Sequence, residues 1–85
     1  MTALIDTIED AVQAASLDRA DGVVPCAPVV EAIETYCKID DDGIIETITA
    51  RAYLDAERIY GSDWHAYSGH VAELVCDGLR RFAFA

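Results

Sequence analysis

Ile44-Ile45-Glu46-Thr47-Ile48-Thr49 is the stretch on which the fold class turns. Five of its six residues, all but Glu46, are β-branched, the composition of a strand. Downstream residues point the other way. Ile45, Ile48, Ala52, Ala56 and Ile59 recur at helical spacing up to Gly61, a residue suited to the left-handed position after a helix. The longer pattern outweighs the local one, so a helix is expected over 43–60, with a short β element near 44–49 as the alternative. On its flank Arg51, Asp55 and Arg58 have the spacing of a small ion-pair network.

Working back toward the N-terminus, residues 4–15 read as an amphipathic helix. Leu4, Ile5, Ile8, Ala11, Val12 and Ala15 share one face, with Asp6, Glu9 and Asp10 opposite. A polar stretch from Ser16 to Gly22 closes it, and Val23-Val24-Pro25-Cys26-Ala27-Pro28 leads into a second helix. Pro28 fits the first turn, where a missing N–H costs nothing. That helix runs to Cys37, with Val29, Val30, Ile33, Tyr36 and Cys37 inward and Glu31 and Glu34 outward. Toward the C-terminus, Trp64, Tyr67, Val71, Leu74, Val75, Leu79 and Phe82 line one face, with Ser68-Gly69 as a kink or break. The expectation is an all-α fold: one domain, 1–85, built as a compact bundle of about four helices.

Composition bounds the function. The 85 residues are 53% apolar, enough for a core and against disorder. No apolar run approaches the roughly 20 residues of a membrane span, and Met1 to Asp6 lacks the basic segment of a signal peptide. A cytoplasmic location is expected. Cys26, Cys37 and Cys76 are odd in number, widely spaced and outside any CxxC pattern, so reduced thiols are expected, with no metal and no cofactor.

Charge is distributed unevenly. Residues 1–50 hold eleven acids and two bases, a net of −9, whereas residues 51–85 hold five acids and four bases, a net of −1. Such a surface repels nucleic acid and membrane phosphates and attracts basic surfaces. General salt adaptation would spread acids along the whole chain. A helix-turn-helix arrangement of 28–37 and 44–60 is discounted for the same reason, because 28–50 sets Lys38 alone against six acids.

Catalytic and metal signatures are absent from the pattern. The segment from Lys38 through Asp40, Asp41, Asp42 and Gly43 to Ile45 resembles an EF-hand loop over a dozen residues. It places Lys38 and Thr49 where the first and twelfth ligands belong, which removes the two carboxylates that a calcium site needs. His65 and His70 are five residues apart, on different helix faces, which suits neither shared metal ligation nor an i,i+4 motif. A non-catalytic protein is expected.

The remaining candidates are interaction residues. Asp6, Glu9, Asp10, Glu31, Glu34, Asp40, Asp41, Asp42 and Glu46 lie opposite apolar stripes or in one turn, and form the expected partner-binding set. Their partner would be a basic protein surface. Tyr53 and Tyr60, spaced i,i+7, and the apolar tail with Phe82 and Phe84 are candidate contacts of a homodimer or a partner. In size, charge and lack of a catalytic signature the chain resembles the small acidic inhibitors that phages carry against host defence, such as anti-CRISPR proteins and other DNA mimics. That resemblance rests on no motif. It implies a partner such as a CRISPR effector or another nucleic-acid-binding protein, met in the host cytoplasm, whose groove the acidic face would occupy. The alternative is an oligomerising helical adaptor working through the C-terminal apolar face of Leu79, Phe82 and Phe84.

Overall fold

The computed structural model describes residues 3–19, 23–37 and 42–84, the side chains of 42, 83 and 84 excepted. Among these residues the chain forms four α-helices and no strand: α1 (Leu4–Leu17), α2 (Ala27–Cys37), α3 (Asp42–Tyr60) and α4 (Ser68–Phe84). A 3₁₀ turn, Gly61–Ala66, links α3 to α4. The all-α expectation holds, and residues 44–49 lie within α3.

The β-branched run fits a helix because its hydroxyls are served locally. Thr47 Oγ1 donates to the Gly43 carbonyl and Thr49 Oγ1 to the Ile45 carbonyl, each at 2.8 Å. This i−4 bond lets Thr49 stand fully buried in the core without an orphaned hydroxyl. Ile45, Ala52 and Ala56 are buried on the same stripe. Ile59, expected inward, is 56% exposed. The last turn of α3 is covered on the side of Tyr60, whose ring stacks on Tyr67, and Ile59 is left outside. Gly61 takes φ +70° and ends α3 as the sequence suggested.

α1 packs against both α2 and α4, α3 packs against α4, and a thinner contact of α2 with α3 closes the ring. Ile8, Val12 and Ala15 of α1 meet Val29 and Ile33 of α2 and Val71, Ala72 and Val75 of α4 in one core. α3 is 19 residues long, about 28 Å at 1.5 Å per residue, nearly the 31 Å length of the molecule. Its approach to α4 depends on Gly78: a Cβ there would stand 2.6 Å from Ile48 Cγ2.

α4 begins at Ser68, one residue after Tyr67 leaves helical geometry at φ −102°, ψ 50°. The break lies at Tyr67, one residue before the Ser68-Gly69 kink that the sequence suggested, and it is a full separation. Trp64 packs into the core from the 3₁₀ turn, its ring 4.9 Å from that of Tyr53. Ser68 is buried and accepts a hydrogen bond from Gln13 Nε2 at 3.1 Å, which ties the start of α4 to α1.

Candidate interaction surface

The acidic residues of the first half do not share one environment. Asp6 and Asp10 are exposed on the outer face of α1, opposite Ile8 and Val12. Glu9 lies on the α4 flank, half-buried, with Oε1 3.7 Å from where a Cβ on Gly69 would be. Glu31 is exposed at a shallow groove between α1 and α2, whose floor is formed by Ala11, Ala14 and Ala32. Glu34 is half-buried and stands outside that groove. Glu46 is exposed on α3.

Asp40 and Asp41 lie outside the described residues, as does the side chain of Asp42, whose backbone opens α3. Asp6, Asp10 and Glu31 are thus exposed on the neighbouring helices α1 and α2, while Glu9 is carried toward α4.

Among the described residues, ion pairs are made by Arg58 with Asp55, at 4.0 Å, and by Arg81 with Asp77, at 2.9 Å. Both lie on α3 and α4, at spacings visible in the sequence. Asp6, Glu9, Asp10 and Glu31 make none among the described residues, and of these Asp6, Asp10 and Glu31 are exposed.

The aromatic candidates divide likewise. Tyr53 is a core residue, 7% exposed, and its hydroxyl donates to the Pro25 carbonyl at 3.0 Å. Tyr60 is half-buried, stacks on Tyr67 with ring centroids 3.8 Å apart, and hydrogen-bonds through its hydroxyl to His70 Nδ1. Tyr36, expected inward, is 46% exposed, because it stands at the lip of the α1–α2 groove instead of beneath it. Leu79 belongs to the core, so the outward apolar residue of α4 is Phe82, 46% exposed. The side chain of Phe84 lies outside the described residues.

Sequence spacing alone did not single out Leu54, which is 62% exposed. The signal was present: position 54 falls opposite the stripe of Ile45, Ala52 and Ala56 on the helical wheel. Beside it opens a surface concavity of about 660 Å³, between the segment before α2, α3 and the 3₁₀ turn. Val23, Tyr53, Leu54 and Trp64 form its apolar walls, and Glu57 and Asp63 stand at its rim.

Groups of three or more His, Cys, Asp or Glu able to hold a metal are absent among the described residues. Burial raises the Cys26 thiol above its ordinary range, and the Glu46 carboxylate raises it further. Burial likewise raises Cys76; Arg80 draws it partly back, while Cys37 and Glu73 push it up. A thiol held protonated is a poor nucleophile. No helix of the described residues is long and apolar enough to cross a membrane. No known protein family, curated protein or solved structure matches the chain.

Proposed function

We propose that the protein is a non-catalytic inhibitor that uses its acidic face to occupy a basic, nucleic-acid-binding site on another protein. The observation that carries this reading is the contrast in pairing. Asp6, Asp10 and Glu31 sit exposed on two adjacent helices without a cation among the described residues, while Arg58–Asp55 and Arg81–Asp77 lie on α3 and α4. Carboxylates on a rigid helical pair can meet arginines that ordinarily hold phosphates, in bidentate geometry. The long-range field speeds the encounter at low salt. An anti-CRISPR-like role against a CRISPR effector is one instance of this mechanism. Leu79 is buried in the core, so the adaptor alternative rests on Phe82 alone among the described side chains.

The test is competition. Partner protein captured from host extract should be released by raised salt and by added nucleic acid. Capture should be lost with the triple reversal Asp6→Lys, Asp10→Lys, Glu31→Lys, whose helical circular dichroism stays unchanged. Capture that survives nucleic acid and the reversal removes this function. Glu9 is left out of the reversal because it is packed toward α4 and its substitution would also disturb the core.

A further inference from the structure

The groove between α1 and α2 joins an apolar floor to edges of a single charge. Ala11, Ala14 and Ala32 line a concavity of about 450 Å³, with Tyr36 at its lip. Glu31 lines its α2 edge, and Asp10 stands one turn before Ala14, just outside the α1 edge. Both carboxylates are exposed, and neither makes an ion pair among the described residues. The two helices carry Asp6, Glu9, Asp10, Glu31 and Glu34, and not one lysine or arginine. Lys38, the residue after α2, lies outside the described residues, and Asp40, Asp41 and Asp42 follow it in the chain.

We infer that this groove receives a basic amphipathic helix of the partner protein. Its apolar stripe lies on the alanine floor, and lysines or arginines on its two flanks reach Asp10 and Glu31. The inference rests on the proposed function and names the element that the acidic face takes hold of.

Charge selects the occupant. Nucleic acid is repelled by the same carboxylates. An uncharged apolar helix would cover Asp10 and Glu31 without supplying a cation, at a desolvation cost. A second copy of this chain brings a net charge of −10, with Arg58 and Arg81 already beside Asp55 and Asp77. Shape selects a helix over an extended segment. Successive side chains of a strand point to opposite faces, whereas a helix can lay one apolar row between two charged flanks. Alanine side chains let its backbone come close. The 11 residues of α2 extend about 16 Å at 1.5 Å per residue, enough to seat three turns.

Fluorescence anisotropy of a labelled synthetic peptide tests this. The probe is about four turns long, with leucines at helical spacing and arginines along both flanks. It should bind saturably, and about tenfold tighter than a peptide of equal arginine count with serines in place of leucines. A central proline, which breaks the helix, should cost as much. Ala14→Glu adds a carboxylate but raises a charged side chain from the floor. It should weaken binding about tenfold, whereas recognition by charge alone predicts tighter binding. Ala14 is exposed, so helical circular dichroism should be unchanged. Asp10→Lys with Glu31→Lys should abolish binding, and Leu54→Asp on α3 should not weaken it. Absence of saturable binding, equal binding of the serine or proline peptide, binding undiminished by Ala14→Glu, or loss on Leu54→Asp would each overturn the inference. The same variants keep its failure apart from that of the function. Partner capture lost with charge reversal but not with Ala14→Glu removes the groove alone, and capture that survives both removes the function.

Discussion

The pair α1–α2 and the pair α3–α4 belong to one bundle but handle charge in opposite ways. On α1 and α2 the acids Asp6, Asp10 and Glu31 stand on outer faces without cations among the described residues. On α3 and α4, Asp55 and Asp77 each have an arginine within one turn. The first pair is held by its apolar contacts against a repulsive surface; the second has a surface that helps slightly. Stability and recognition are therefore separable, and the first pair should depend more heavily on its core.

The largest effect should come from that core. Ile33 is fully buried among residues of α1 and α2. Ile33→Ala should cost about 2–5 kcal/mol, the range for a buried branched aliphatic truncated in place, measured by urea denaturation. In a small domain that is a large share of total stability. A loss under about 1 kcal/mol would mean that α2 is only loosely docked and that Glu31 is not fixed relative to α1.

The second pair should break at its closest approach. A methyl on Gly78 would meet Ile48 Cγ2, a stiff β-branched atom that cannot swing aside. Gly78→Ala should therefore destabilise by about 1–3 kcal/mol through overpacking, despite the roughly 1 kcal/mol that alanine gains over glycine in a helix. In an Ile48→Ala background the sign should reverse, because the space is then free. If Gly78→Ala stabilises the wild-type chain, α3 and α4 are less closely packed than described.

These two sites show what the sequence carried and what it could not. The stripes of α1 and α2 were legible because apolar residues at 3.6-residue spacing have one way to be buried, and Gly61 was legible as the end of α3. Residues 44–49 were ambiguous only locally; the stripe extending to Ala56 decided them, since threonine hydroxyls can bond within a helix. The Ile48–Gly78 contact, thirty positions apart, had no local signal. The flank each acid occupies depends on which helices are neighbours, so the separation of Glu9 from Asp6 and Asp10 emerges only after packing. Tyr36 and Ile59 failed for a related reason: each is in phase with its stripe but lies near a helix end, beyond the cover of a neighbour.

The thiols probe the difference between the halves with a smaller effect. Cys26, Cys76 and Tyr53 all have pKa values pushed above their ordinary ones, chiefly by burial. A raised folded-state value means that the protonated group is favoured by folding. That contribution is present in full below the unfolded value and is lost as pH rises through the folded one. Stability in urea should thus be level with respect to these groups through neutral pH and fall above the ordinary thiol value of 9.0. Alkylation of Cys26 and Cys76 at neutral pH should be slower than that of an unstructured thiol. Added salt should speed Cys26, because it screens Glu46. Rapid neutral-pH alkylation of either would contradict burial as the cause and reopen nucleophilic chemistry.

The smallest expected effect is also the most direct test of the contrast. Asp10→Asn removes one charge from a crowded, unpaired acidic surface, and Asp77→Asn removes the partner of Arg81. The first should raise stability by about 0.2–0.5 kcal/mol through relief of self-repulsion, and the second should lower it by a similar amount through loss of an exposed i,i+4 pair. Both shifts should shrink at high salt, because both groups are solvent-screened. The signs carry the argument more than the sizes do. A surface selected only for solubility leaves no reason for its acids to be grouped where they repel one another. A stability gain on neutralising Asp10, coupled to weaker capture of a basic partner by the same variant, would show that the acids of α1 are retained at a cost to the fold. If Asp10→Asn instead destabilises while capture is unchanged, the acidic face is structural and the proposed function loses its basis.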